Sequence, residues 1–106
     1  MKQTDLIRII GDIITKVDVL RAEFPRGTET RNQLDDIRDD IDGFQRRLVR
    51  DLIDVNTPKF AQAADLLISL SKELKQMIDD VAKVADTLNT LVKLVGVIQK
   101  TVGVIL

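Results

Sequence analysis

The sequence has no cysteine, no histidine, no tryptophan and no tyrosine, and only two prolines in 106 residues. Without cysteine there is no disulfide, and the redox compartment leaves no mark on the chain. Without histidine the chain lacks the commonest metal ligand and the usual proton carrier near neutral pH. The only aromatics are Phe24, Phe44 and Phe60, so a core has to be built from Leu, Ile, Val and Ala. Apolar runs are short as well. A membrane span needs roughly 20 mostly apolar residues, and a charge interrupts every run well before that. The N-terminus carries Asp5, Arg8 and Asp12 inside its apolar pattern, unlike a secretion signal, and the expected location is the cytoplasm. The net charge of −1 gives no bias towards nucleic acid.

What is present is amphipathic helix. Hydrophobic residues make up 44 % of the chain and charged residues 31 %, which fits one helical domain with no room for a second core. From Ala63 onward one apolar series runs without a slip: Ala63, Leu67, Leu70, Leu74, Met77, Val81, Val84, Leu88, Leu91, Val95, Ile98, Val102, Ile105. Spacings of four and three alternate, which is the seam period of packed helices. Such a stripe must be covered by other helices, by a second copy of the chain, or by lipid.

In chain order, a first helix is expected over 4–23, with Thr4 as N-cap and a stripe of Leu6, Ile10, Ile13, Val17, Leu20 and Phe24. Arg8–Asp12 and Asp12–Lys16 have the spacing of i,i+4 pairs. Phe24-Pro25-Arg26-Gly27 ends it. A second helix is expected over 29–54, capped by Thr28 or Thr30, with Leu34, Ile37, Ile41, Phe44, Leu48, Leu52 and Val55 on its apolar face. Its acids (Asp35, Asp36, Asp39, Asp40, Asp42) come early and its bases (Arg46, Arg47, Arg50) late, an order that suits the helix dipole. Thr57-Pro58 is the clearest boundary, an N-cap followed by proline at the first helical position.

Beyond it two architectures compete. In an antiparallel four-helix bundle the third helix covers 58–86, Asp86 or Thr87 caps a fourth over 88–105, and the helices pair 1 with 4 and 2 with 3. In a helical hairpin the third helix continues unbroken to the end, and its uncovered flank drives dimerisation. The unbroken phase favours the hairpin; burial within one small chain favours the bundle, which is the expected fold.

No chemical site is written in the sequence. The run Arg38–Gly43 superficially resembles a calcium loop, but Arg38 and Val49 fall where such a loop needs acids. Arg46, Arg47 and Arg50 lack an aromatic to stack a base and sit among acids, so nucleic acid is not an expected partner. Ser69 and Ser71 have no histidine to activate them, and adjacent carboxylates such as Asp79 and Asp80 point to different sides of a helix. An enzyme, a cofactor and a metal are therefore not expected.

The tail over 88–106 differs in kind. It carries Lys93 and Lys100, seven apart, and no acid, which is the pattern of an interfacial amphipathic helix. Gly96 and Gly103 draw a small-residue line where another helix can approach. The faces expected to meet membrane or a partner helix are Leu91, Val95, Ile98, Val102 and Ile105 with Lys93 and Lys100, together with Leu6, Ile10, Ile13 and Val17 of the first helix. In size, in its four amphipathic helices and in its apolar terminal helices, the chain resembles the cell-death executor domains of the HeLo, MLKL-like and bacterial Bell type. The resemblance is architectural and carries no short motif. It implies a soluble store of helices that oligomerises and permeabilises a membrane. The alternative is a self-associating scaffold or adaptor that docks a protein. Expected partners are thus further copies of the chain, membrane lipid, or a protein.

Overall fold

In the computed structural model the described residues are 2–51, 53 and 55–102, with Thr101 and Val102 described by backbone alone. They form four α-helices: α1 (Gln3–Arg21), α2 (Glu29–Arg50), α3 (Pro58–Met77) and α4 (Val84–Val102), the last preceded by one 3-10 turn, Val81–Lys83. The helices pack as a four-helix bundle 41 Å long and 24 by 17 Å across.

The local starts follow from side-chain capping. Thr28 accepts from the Arg31 amide at 3.3 Å, and Thr57 accepts from the Phe60 amide at 3.1 Å; each satisfies an amide that has no intrahelical partner. Thr4 is not a cap. The N-cap is Lys2, whose backbone amide donates to the Asp5 carboxylate at 3.0 Å. Between α1 and α2, Pro25 to Thr28 makes a turn closed by the Thr28 amide on the Pro25 carbonyl. Gly27 takes φ +89° there, the left-handed third position that glycine supplies without strain. Arg31 completes the corner by donating to the Arg21 and Phe24 carbonyls at 3.1 Å each, so α1's last turn is capped from α2.

The long seam breaks at 78–80, not at 86–90. α3 ends at Met77 with Ile78 as C-cap; the Asp80 amide donates back to the Met77 carbonyl, and the Asp80 carboxylate accepts from the Ala82 amide at 3.0 Å. Asp79-Asp80 thus offers local hydrogen bonds that compete with the helix. The unbroken third helix does not occur, and the stretch expected to hold the break lies in the first two turns of α4.

The pairing also differs from expectation. α1 packs with α2 and α3 with α4 as antiparallel hairpins, α2 lies beside α4, and α1 beside α3. Helices 1 and 4, and 2 and 3, lie across the diagonals. α2 also stops at Arg50 and not at 54; Leu52 and Asp54 lie outside the described residues. Gln3 Nε2 donates to the Leu48 carbonyl at 2.6 Å and to the Asp51 carbonyl at 2.7 Å, while its Oε1 accepts from the Ile53 amide at 3.3 Å. One side chain of α1 therefore holds the end of α2, and Ile53 beyond it is buried.

The core joins Leu6, Ile10, Ile13, Val17 and Leu20 of α1 with Leu34, Ile37, Ile41 and Leu48 of α2, Phe60, Leu67 and Leu74 of α3, and Leu91, Leu94 and Ile98 of α4. Two threonines of α4, Thr87 and Thr90, are buried with them. Among the described residues Thr90 has only the Met77 sulfur as partner at 3.8 Å, and the Thr87 hydroxyl has none. A buried hydroxyl without a partner costs about 1–3 kcal/mol. Thr87→Val, similar in shape and without the hydroxyl, is expected to raise stability by about 1–2 kcal/mol in a urea titration. A loss of stability would mean the hydroxyl has a partner.

Along the α1–α2 seam the charges interlock. Arg31 and Arg21 both reach Asp35, Arg21 and Arg38 both reach Asp18, and Arg38 and Arg46 both reach Asp42, at 2.9 to 3.8 Å. Arg8 pairs with Asp5, not with Asp12. The hydrogen bonds from Arg31 and then Arg21 hold the Asp35 carboxyl below its usual range, and Arg50 does the same for Asp51. A depressed carboxyl stabilises the fold fully above its unfolded value, about 3.9. That contribution fades as pH falls through the lower folded value. With no histidine to titrate, stability is expected to be flat from about pH 6 to 8 and to fall below about pH 4. Asp35→Asn should cost stability at pH 7 and lose that effect in acid, read from denaturant midpoints across pH.

Candidate binding cleft between the first and third helices

α1 and α3 are the most loosely packed of the neighbouring pairs, and the gap between them is a cleft of about 140 Å³. Its walls follow from helix periodicity. Ile9 and Ile13 share one face of α1 with Asp12 and Lys16 at its edge, while Ile68, Ser71 and Leu74 share a face of α3 edged by Lys72 and Lys75. The surface is mostly apolar, with charge confined to the rim.

Three features define this cleft. Its lysines, like the other lysines of the described residues, have no ion-pair partner there, whereas the arginines of the α1–α2 seam are interlocked with aspartates. Asp12 is the only acid on the rim, so the rim carries two net positive charges. Ser71 is 8 % exposed, and its hydroxyl has no hydrogen-bond partner. Among the described residues no side chain is hydrogen-bonded to Ser71 as a base that activates a nucleophile would be. A second depression, between α2 and α4, is larger at about 320 Å³ but wider open. Gln33, Asp36 and Asn89 there give a polar rim without a cation, so the smaller cleft is the better-formed site.

The faces expected from the sequence are distributed unevenly. Leu6, Ile10, Val17, Leu91 and Ile98 are in the bundle core and Val95 is packed partly against it. Ile13 is also in the core and reaches the wall of the cleft. Lys93 and Lys100 are exposed on α4. Val102 is described by backbone only and Ile105 lies outside the described residues, as does Gly103. At Gly96 no neighbouring atom of the described residues lies within 4 Å of where a Cβ would stand. The close approach is at Gly11, where a Cβ would stand 3.1 Å from Gln45 Nε2, which donates to the Ile7 carbonyl at 3.2 Å.

Of the serines and lysines read from the sequence, Ser71, Lys72 and Lys75 meet at the cleft, whereas Ser69 is exposed. Lys16 joins them from α1. Nothing in the sequence joins Lys16 to that group, because only the parallel packing of α1 on α3 brings it there. Among the described residues no group of acids could hold a metal ion, and no helix is long and apolar enough to cross a membrane. No family model, curated protein or solved structure matches the chain.

Proposed function

We propose that this protein is a non-enzymatic helical binding module that works through an apolar helix face, the α1–α3 cleft, on a partner that is apolar and anionic. The observation that carries this is the cleft's unpaired cationic rim over an apolar floor, in a fold whose other helix pairs close more tightly. Sites of this kind, mostly apolar with a few placed polar groups, are the usual form of pockets between bundle helices. The test is calorimetric titration of the folded protein with benzenesulfonate, a small apolar anion of one ring. Saturable one-to-one binding that Ile68→Asp removes supports the proposal. Binding that appears only when the protein is loosened by acid or denaturant contradicts it.

A second reading, membrane permeabilisation by released helices, draws support from α4, which carries no acid after Asp86 and keeps Lys93 and Lys100 exposed. It requires α4 to leave the bundle and uncover Leu91, Leu94 and Ile98, each fully buried. At about 1.5–3 kcal/mol per side chain, that release needs oligomerisation or lipid to offset it. Dye release from anionic vesicles tests it, with Val95→Glu as the comparison. Leakage that the substitution abolishes supports this reading, and intact vesicles at micromolar protein count against it.

A further inference from the structure

Resting on the binding-module reading, we infer that the α1–α3 cleft is a site for a small organic anion, a carboxylate carrying an apolar body of about six to eight carbons. Three observations converge on that class.

The first is volume. An apolar cavity of about 150 Å³ holds a benzene molecule and otherwise stays dry, and this cleft is about 140 Å³. It is therefore too small for a nucleotide or a drug-sized ligand, which needs about 300 Å³ or more, and large enough for a ring or a short alkyl chain. The second is charge. Lys16, Lys72 and Lys75 stand at the mouth with no partner among the described residues, against Asp12 alone. An anionic head at the mouth meets two lysines of α3 and one of α1, and an ammonium head meets repulsion. The third is Ser71, an α3 residue that lines the cleft with a buried, unpartnered hydroxyl. Rotation about its Cα–Cβ bond offers a donor to a carboxylate oxygen, which a purely apolar occupant cannot use. An unmet hydroxyl donor, a cationic rim and a floor of isoleucines fit a molecule that is a carboxylate at one end and hydrocarbon at the other.

The experiment is calorimetric titration of the full chain with butanoate, hexanoate and octanoate at low salt, with octylammonium as the charge-inverted control. Nitrogen-15 NMR locates the site. Affinity is expected to rise about fourfold per added methylene until the cleft is full. Amide shifts should concentrate on residues 9–16 and 68–75, and octylammonium should bind at least tenfold more weakly. The double substitution Lys72→Glu/Lys75→Glu, on exposed positions, should weaken octanoate tenfold or more with an unchanged unfolding midpoint. If octanoate and octylammonium bind alike, if affinity does not depend on chain length, or if the shifts fall on the α2–α4 depression, the inference is overturned. Octanoate failing to bind while benzenesulfonate still does so overturns this inference and leaves the binding-module reading standing; failure of both removes the two together.

Discussion

Leu94→Ala is expected to destabilise the protein by about 2–5 kcal/mol, the cost of removing a leucine that cannot be replaced by collapse around it. Val92→Ala, two residues away, is expected to change stability by no more than about 0.5 kcal/mol. Leu94 is 0 % exposed and Val92 is 61 % exposed. They lie on opposite sides of α4 because successive residues are about 100° apart on a helix. Total stability of a domain this size is about 5–15 kcal/mol, so the first substitution takes a large share of it. Urea unfolding of the two variants measures both. The pair tests the register of α4 directly. The seam read from the sequence runs through Leu91, Val95 and Ile98 and passes Leu94 by, whereas α4 in the bundle buries Leu91, Leu94, Val97 and Ile98. Equal costs for the two substitutions would mean that α4 is not seated as described.

Gln3→Ala is expected to cost about 2–3 kcal/mol, the loss of three part-buried hydrogen bonds at about 0.5–1.5 kcal/mol each. Two of the bonds satisfy carbonyls at the end of α2 and one satisfies the Ile53 amide. The partners are 45 to 50 residues away in the chain. Gln3→Glu separates the donor role from the acceptor role. It keeps the length and the acceptor but places a carboxylate against two carbonyl oxygens, so it should cost at least as much as alanine. Unfolding midpoints at pH 7 are the readout. A change under about 0.5 kcal/mol for both would show that the α2 end is held by something else.

Gln3 also marks the limit of what periodicity can reveal. The helices themselves were legible. Thr57-Pro58 starts α3 as its side-chain chemistry dictates, and Leu6, Ile10, Ile13, Val17 and Leu20 are buried as spaced. The neighbours were not, because a stripe says that a face is covered and not by what. The end of α2 is held by a glutamine near the N-terminus, and glutamine side chains carry no positional signal. The break at 78–80 was hidden for a related reason. Met77, Val81 and Val84 keep the apolar phase across it, while the competing bonds of Asp80 are local and short in sequence. In the bundle Val81 is exposed and Ile78 is buried in its place.

The buried faces are also wider than the seam that spacing traces. α3 and α4 each touch two neighbours, and a bundle helix covers an arc of about 100° or more. That is how Ser71, Thr87 and Thr90, polar residues beside the seam, come to be inside. The cleft was only half visible. Ser71, Lys72 and Lys75 are close in sequence, but Lys16 and Ile13 reach them only through the packing of α1 along α3. On the far seam, Asp35 and Asp42 of α2 are engaged with arginine.

The claim on which the cleft, the core and the α4 register all depend is that the chain turns back on itself at 78–80. Cysteine is absent, so Gln62→Cys and Gln99→Cys supply the only two sites for spin labels, both at exposed positions. A pulsed electron-spin distance measurement between them decides the matter. The α3–α4 hairpin places the two positions on adjacent antiparallel helices, whose axes are about 8–10 Å apart, and predicts a distance below about 20 Å once the labels are added. A continuous helix across 37 residues at about 1.5 Å each would place them about 55 Å apart, and a distribution centred there would contradict the account.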